Sequence, residues 1–297
     1  MGAVCDWAYL NGVFLAHGQA QISPFDRGFL FGDAVYEVTA VYGGRLVDLE
    51  GHLERLKRSL GELSLSPAPD LNDIAAMHRE LVDRNKLIEG QIYLQVTRGA
   101  FGGRDFVAPA QARPTVFAFA ESKPLIDVPH AKSGLSVIST PDIRWLRRDI
   151  KTTGLLAQAL AKTKAVEAGA GDAWMVEDGL VTEGASSNAW IVTADGVLTT
   201  RNLSNRILAG ITRGAVTDLY PNDVRLEERA FSLEEAFAAR EAFQTSASSL
   251  VAPVVSIDGR PIADGTPGPI TRRIQARYFE RMGVEADLYS DWIKKAD

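Results

Sequence analysis

Cysteine is almost absent from this chain of 297 residues, because Cys5 is the only one. A single cysteine excludes a disulfide within the chain, and we expect a protein of the reducing cytoplasm. Histidine is also scarce, and its positions lack the spacing of metal ligands, so we expect no metal site and no histidine-based catalytic triad. The four positions are His17, His52, His78 and His130.

An excess of basic residues is lacking as well. The 32 lysines and arginines face 38 aspartates and glutamates, which leaves a formal net charge of -6. With no basic block, neither nucleic acid nor an anionic membrane is an expected partner. No apolar run approaches the roughly 20 residues that a membrane span needs. We therefore expect small-molecule substrates, and anionic ones must be held by individually placed arginines.

Hydrophobic residues make up 46% of the chain, which is enough for one large domain or for two domains. An Asn-Gly pair at positions 11–12, between apolar runs, predicts a β-hairpin. Alternation of period two predicts strands, and a change to helical spacing predicts helices. The predicted strands are 34–42, 91–98, 115–120, 134–139, 173–176, 188–192 and 197–200, and the predicted helices begin near His52, Asp70, Thr153, Gly210, Ser232 and Pro269.

Two prolines mark the expected domain boundary. Pro124 and Pro129 each lack a backbone donor and disfavour helix at the preceding residue, which predicts an extended connector. We expect an N-terminal α/β domain over 1–122, a connector over 123–131 and a C-terminal α/β domain over 132–297. Strands mixed with helices, without strict βαβ alternation, predict an α+β (mixed α/β) fold. The helix from Thr153 is expected to bury an apolar face of Leu155, Leu156, Ala159, Leu160, Thr163 and Val166.

Two segments carry residue types that suit one kind of chemistry. Lys151 follows Arg147-Arg148-Asp149-Ile150, and Glu183 lies in Val181-Thr182-Glu183-Gly184. A lysine that carries an aldehyde cofactor as a Schiff base must act as the neutral amine. The pyridine nitrogen of such a cofactor needs a carboxylate beside it to stay protonated. Together the two segments predict a pyridoxal phosphate site, although singly each residue suits an ordinary turn.

Three further features suit an anion such as a phosphate. Gly210-Ile211-Thr212-Arg213 stands at a predicted helix start, whose free amides and dipole favour negative charge. Glu183 is followed by a Gly-Ala-Ser-Ser-Asn turn that includes Ser187, and a second turn spans 245–249. Arg55, in a predicted helix, is a candidate for a guanidinium contact to the phosphate.

These blocks, in this order, resemble the fold-type IV pyridoxal-phosphate aminotransferases, and most closely the D-amino acid aminotransferases. The resemblance covers nearly the whole chain, from 25–37 through Arg55, Asp142-Ile143-Arg144-Trp145, Lys151, Glu183 and 210–213. It implies pyridoxal 5'-phosphate as cofactor, bound in the C-terminal domain, and a homodimer. It also implies that Lys151 links to the cofactor and moves the substrate's α-proton. The other implied cofactor contacts are Arg55, Glu183, Ser187, Ile211, Thr212, Ser246, Ala247 and Ser248.

The same resemblance implies where the substrate binds. Tyr36 is expected at the substrate face of the cofactor. In D-amino acid aminotransferases, a loop after Val-Thr-Arg-Gly presents an arginine and, two positions later, a histidine, which reach across the dimer to the substrate carboxylate. Here Arg104 matches the arginine, but Phe106 replaces the histidine. Ala247 also departs from the pattern, because relatives often carry a hydroxyl residue there.

The leading prediction is a transaminase that moves the amino group of D-alanine or other D-amino acids to 2-oxoglutarate or another 2-oxo acid. A branched-chain L-amino acid aminotransferase and an (R)-amine transaminase use the same machinery and stay open as alternatives, because Phe106 alters the carboxylate site. An aminodeoxychorismate lyase of the same fold is a further alternative with another reaction type. A non-catalytic cofactor-binding protein is disfavoured, since Lys151 and Glu183 are both present.

Overall fold

The computed structural model describes residues 2–108, 110–111 and 113–293, and the chain divides into two compact units. Unit 1 comprises Met1–Pro124 and Ile150–Gly154, and unit 2 comprises Leu125–Asp149 and Leu155–Asp297. Both contain sheets and helices, so the predicted α+β class is confirmed. Among the described helices, none has the length and apolar character that crossing a membrane requires.

Unit 1 is built on an antiparallel sheet of six strands. The bounds of its elements are β1 (Ala3–Leu10), β2 (Val13–Ala16), α1 (Arg27–Phe31), β3 (Ala34–Tyr42), β4 (Arg45–Leu46), α2 (Leu49–Glu62), α3 (Leu71–Asn85), β5 (Glu89–Thr97) and β6 (Thr115–Ser122). The strand order is β2-β1-β6-β5-β3-β4. The predicted hairpin is confirmed, because β1 pairs with β2 across Asn11 and Gly12, which both have the positive φ that such a turn requires.

Strand β3 distributes its side chains between the two faces of this sheet. Alternation places Glu37 and Tyr36 on opposite faces, because successive residues of a strand point in opposite directions. On one face, apolar residues of β3, β5 and β6 pack with leucines of α2 and α3 into the core of unit 1. On the other, the rings of Tyr36 and Tyr93 stack with their centroids 5.7 Å apart.

Residues 150–154 bond to the edge of β3. Thr152 forms a bridge with Val35, and the Tyr36 amide donates to the Lys151 carbonyl at 3.0 Å. The Thr153 amide donates to the Ala34 carbonyl. The predicted helix consequently begins at Leu156 rather than at Thr153.

Unit 2 is built on a mixed sheet of nine strands. The bounds of its elements are α4 (Pro129–Ser133), β7 (Leu135–Pro141), α5 (Leu156–Glu167), β8 (Asp172–Glu177), β9 (Leu180–Gly184), β10 (Asn188–Val192), β11 (Leu198–Thr200), α6 (Ile211–Leu219), β12 (Leu226–Glu228), α7 (Leu233–Phe237), β13 (Glu241–Ser246), β14 (Leu250–Ile257), β15 (Arg260–Pro261) and α8 (Pro269–Met282). The strand order is β12-β11-β10-β13-β14-β7-β8-β9, and β15 pairs with β14. The predicted Ser232 capping box with Glu235 is confirmed.

One local prediction for unit 2 is wrong. Residues 123–128 of the expected connector lie outside helix and strand, and α4 begins at Pro129, because a proline is well tolerated in the first turn of a helix. Helix α5 does not bury the predicted leucine face. Its buried residues are Ala161 and Ala165, which pack with Ala173, Met175 and Ala185, while Leu156, Leu160 and Val166 are exposed.

Candidate active site

Lys151 is fixed through its main chain and keeps its amine available. Its carbonyl accepts the Tyr36 amide, and its own amide lies 3.4 Å from the Ser59 hydroxyl of α2. The Lys151 Nζ lies 4.2 Å from the centroid of the Tyr36 ring. Within the described residues, the amine has neither an ion pair nor a hydrogen-bond acceptor. An amine that lies over an aromatic ring and forms no ion pair with a carboxylate is available to act as a nucleophile.

Arg55 lies on α2 and is buried against the carboxylate of Glu37 on β3. Its Nε donates to Glu37 Oε1 at 2.9 Å and its Nη2 to Oε2 at 2.7 Å, while His52 Nδ1 lies 2.7 Å from Oε2. Burial alone would raise the pKa of Glu37, but the charge and hydrogen bonds of Arg55 lower it to about 2. Burial lowers the pKa of His52. Arg55 is therefore a buried, firmly oriented cation.

Replacing Glu37 with glutamine should cost about 3–5 kcal/mol of the free energy of unfolding, because it leaves the Arg55 charge buried without its partner. Urea unfolding of the apoprotein measures this loss. The stability advantage of the wild type over Glu37→Gln is fully present above about pH 4.5, the ordinary pKa of the carboxyl. It is lost as the pH falls toward 2, because the pKa of Glu37 is lower in the folded than in the unfolded state.

Glu80→Gln is the matched control, because Glu80 pairs with Arg84 on the exposed side of α3. An exposed pair four residues apart contributes only about 0.3–0.5 kcal/mol. Equal losses for Glu37→Gln and Glu80→Gln would contradict the prediction.

Arg104 and Phe106 lie together on an exposed loop of unit 1. The guanidinium carbon of Arg104 is 4.9 Å from the Phe106 ring centroid and 5.3 Å from that of Phe31. The structure thus places Phe106 beside Arg104 as an aromatic neighbour.

A β-bulge between β8 and β9 sets the direction of the Glu183 side chain. Trp174 pairs with Gly184 and Val176 with Val181, so Thr182 and Glu183 together face Met175. In a regular strand, two neighbouring side chains point to opposite faces, whereas a bulge re-aims one of them. Both side chains here contact the same guanidinium.

That guanidinium belongs to Arg144, in the loop after β7. Arg144 Nη1 donates to Glu183 Oε1 at 2.5 Å, and its Nη2 lies 3.4 Å from the Thr182 hydroxyl. Asp142 holds the other side of Arg144, at 2.9 Å to Nε and 2.7 Å to Nη2. Arg144 therefore fixes the carboxylate of Glu183 and is itself fixed by Asp142.

Two more donors complete the surroundings of Glu183. Asn188 Nδ2 donates to Oε2 at 2.9 Å, and the Leu208 amide lies 3.2 Å from Oε1 and 3.1 Å from Oε2. Burial raises the pKa of Glu183, and the opposing effects of Arg144 and the Leu208 amide do not cancel that shift. Gly210 is required nearby, because a Cβ there would lie 2.0 Å from Asn188 Oδ1.

Helix α6 begins beside this carboxylate with Gly210 as its N-cap, and no side chain caps it. The amides of Ile211 and Thr212, in the first turn, have no acceptor within the helix. Such amides, together with the helix dipole, favour an anion. The sequence prediction of an anion-suited helix start is thus supported by the local geometry.

The remaining predicted residues of unit 2 lie in two turns. The Ser187 hydroxyl is buried and has no hydrogen-bond partner among the described residues. In the turn between β13 and β14, the Ser246 hydroxyl lies 3.3 Å from that of Ser248 and 2.7 Å from that of Ser249. Ala247, between them, offers only its backbone.

A comparison with known protein families settles the affiliation. The model of the family "Amino-transferase class IV" matches residues 34–257. The chain belongs to the class IV aminotransferases. The D-alanine aminotransferase of Staphylococcus aureus is 38% identical over 282 residues, which cover 93% of this chain and 99% of that one. The D-alanine aminotransferase of Bacillus licheniformis is 39% identical, with coverage of 89% and 93%.

The fold of this aminotransferase is shared with solved structures. The branched-chain amino acid aminotransferase of T.th., solved with pyridoxamine 5'-phosphate, superposes with a TM-score of 0.85 at 25% identity. The match covers 98% of each chain.

Pyridoxal phosphate is the cofactor of this class IV aminotransferase, and the residues present fit it. Lys151 offers an amine without an acceptor among the described groups, and Glu183 offers a buried carboxylate. The first-turn amides of α6 suit a phosphate, and the Ser187 hydroxyl, which has no partner in the described part of the chain, suits a phosphate or the hydroxyl group on the cofactor ring.

Several residues that contact the candidate residues were given no role by the sequence analysis. They are Glu37, His52, Ser59, Arg144, Asn188 and Leu208. One signal was available for Glu37, because a lone carboxylate inside the apolar run 34–42 needs a buried partner. Asp142 and Arg144 carried a second signal, since a two-residue spacing lets one hold the other.

Proposed function

We propose that this aminotransferase transfers the amino group of D-amino acids, D-alanine among them, to 2-oxoglutarate or another 2-oxo acid. The supporting observation is the similarity to D-alanine aminotransferases at 37–39% identity across most of the chain. The same proposal places the enzyme in the cytoplasm as a homodimer. Exposed apolar side chains such as Leu156 and Leu160 support an association of subunits.

Pyridoxal phosphate, when bound, supplies an aldehyde for the covalent link and an electron-withdrawing ring. Lys151 would hold the aldehyde through its amine and, once released from it, would act as the base that removes the substrate's α-proton and delivers it to the carbon that bore the aldehyde. Glu183 would accept a hydrogen bond from the protonated ring nitrogen, and its orientation is fixed by Arg144, Asn188 and the Leu208 amide.

The phosphate contacts are assigned to Arg55 and to the amides of Ile211 and Thr212, with Ser187, Ser246, Ala247 and Ser248 as the further cofactor contacts. In unit 1, the Arg55 guanidinium already binds Glu37 through two nitrogens. We assign this buried, oriented guanidinium a charge-assisted contact to the phosphate. Tyr36 is assigned to the substrate face, because its ring lies beside the Lys151 amine.

The experiment that tests the proposal is a single half-reaction with three amino donors. Holoenzyme is mixed separately with D-alanine, L-leucine and (R)-1-phenylethylamine, and the change in cofactor absorption is followed. We expect D-alanine to react fastest. A faster reaction of L-leucine would replace the proposal by a branched-chain activity, and a faster reaction of the amine would replace it by an amine transaminase.

Arg104 is proposed to bind the substrate carboxylate, because a guanidinium forms two charge-assisted hydrogen bonds with that group. Replacing Arg104 with alanine should lower kcat/KM for D-alanine by about 10- to 150-fold, which corresponds to roughly 1.5–3 kcal/mol for hydrogen bonds to charged groups. The rate with (R)-1-phenylethylamine, which has no carboxylate, should change little. Equal losses for both substrates would show that Arg104 supports the loop instead.

A further inference from the structure

A buried arginine holds the loop that presents Arg104. Arg27, on α1, donates from Nη1 to the Asp105 carbonyl at 2.6 Å and from Nη2 to the Phe106 carbonyl at 3.3 Å. These carbonyls belong to the two residues that directly follow Arg104. Arg27 is only 6% exposed, so the contact is made from inside the unit and not from its surface.

The orientation of Arg27 is itself fixed by Asp33. Arg27 Nε donates to Asp33 Oδ2 at 2.8 Å, and Arg98 Nε donates to the same oxygen at 2.8 Å. Burial alone would raise the pKa of Asp33, but Arg98 and Arg27 outweigh it and lower the pKa. Arg98 also donates to the Leu63 carbonyl at 2.7 Å. Asp33 is thus an ionised anchor, tied to two arginines and to the end of α2.

Arg27 and Arg104 share an aromatic neighbour. The guanidinium carbon of Arg27 lies 4.6 Å from the Phe31 ring centroid, and that of Arg104 lies 5.3 Å from it. Phe106 adds a second ring 4.9 Å from Arg104, and the centroids of the two rings lie 5.5 Å apart. A guanidinium whose face lies against aromatic rings keeps its in-plane N–H groups free for a carboxylate.

We infer that Arg27 is the positioning residue for Arg104, and that Phe31 and Phe106 form the support on which the Arg104 guanidinium rests. The inference rests on the proposed carboxylate contact of Arg104. Phe106, at the position where the family pattern has a histidine, then restricts the arginine rather than donating a second hydrogen bond. An exposed arginine loses less rotational freedom on binding when it is already held in place.

Lysine cannot replace Arg27 in this role. Its single ammonium group lacks the planar fork that reaches Asp33 and two loop carbonyls together, although it keeps the positive charge beside Asp33. Arg27→Lys should therefore loosen the loop without leaving the Asp33 carboxylate unpaired. We expect KM for D-alanine to rise about tenfold while kcat and the rate with (R)-1-phenylethylamine stay close to wild type.

Two variants sharpen the test. Phe106→Leu keeps the backbone carbonyl that Arg27 holds but removes a ring, and it should raise KM for D-alanine in the same selective way. It also decides the outcome if Arg27→Lys fails to fold, as judged by thermal unfolding. Arg84→Lys is the control, because Arg84 also lies against aromatic rings, Trp7 and Phe14, on another part of the unit. It should leave both substrates unaffected.

The outcomes separate this inference from the proposed function. If Arg104→Ala is selective for D-alanine but Arg27→Lys and Phe106→Leu behave as wild type, Arg27 and the rings do not position Arg104 and the inference fails. Equal losses for the two substrates in Arg27→Lys would overturn it as well, since they indicate general damage. If Arg104→Ala itself shows no selectivity, the carboxylate contact of the proposed function fails first.

Discussion

Replacing Lys151 with alanine should abolish transamination, with a fall in rate on the order of 10⁴-fold or more. A positioned general base alone contributes about 10²- to 10⁴-fold, and the same variant also loses the amine that links to the cofactor. The fold should persist, because Lys151 is held by its main-chain bonds to Tyr36 and Ser59 rather than by its side chain.

The measurement has two parts. Steady-state turnover with D-alanine gives the loss of rate, and mass spectrometry after borohydride reduction shows whether the cofactor becomes attached to the chain at residue 151. Lys164→Ala, on the exposed side of α5, is the control and should match the wild type in both. Attachment at another lysine, or wild-type turnover in Lys151→Ala, would refute the assignment.

Much of the fold follows from local patterns in the sequence. Three features are determined by their own local residues, and the structure confirms all three: the Asn11-Gly12 turn, the strand over 34–42 and the Ser232 capping box. For helix α5, the sequence pattern does not decide which face is buried, because both its alanines and its leucines recur at helical spacing. Only the close approach that Ala161 and Ala165 permit to β8 determines that the alanine face is buried.

In the candidate site too, some residues can be predicted from the local sequence and others only from the three-dimensional structure. Lys151 and Glu183 are recognisable because each lies in a segment with a characteristic order of residues. Arg144, Asn188 and the Leu208 amide act on Glu183 through contacts that depend on the bulge between β8 and β9. A bulge has no clear sequence signal here, so these contacts required the structure.

The environment of Glu183 balances two opposing effects on its charge. Burial raises the pKa of the carboxyl, and Arg144 lowers it by charge and by hydrogen bonding. The carboxylate form is needed to stabilise a proton on the ring nitrogen of the cofactor. Arg144 therefore reduces, without cancelling, the rise in the Glu183 pKa that burial causes, and Asp142 holds Arg144 in place by accepting two of its hydrogen bonds.

Replacing Glu183 with glutamine should slow the half-reaction with D-alanine on the order of 10²- to 10³-fold, as expected when one preorganised electrostatic partner of the reacting group is removed. The amide is neutral and cannot hold a proton on the ring nitrogen. It also presents an NH₂ group where Arg144 or Asn188 now donates, so one buried hydrogen bond is lost, at a cost of about 1–3 kcal/mol.

Rapid mixing of Glu183→Gln holoenzyme with D-alanine measures the rate, and thermal unfolding of the apoprotein measures the stability. Glu183→Asp keeps the charge with a shorter reach and should recover part of the rate, whereas a purely structural role would predict no recovery. Asp223→Asn is the control, because the carboxylate of Asp223 also pairs with an arginine, Arg273, but is largely exposed. If Glu183→Gln reacted as fast as Asp223→Asn, the ring nitrogen would need a partner other than Glu183.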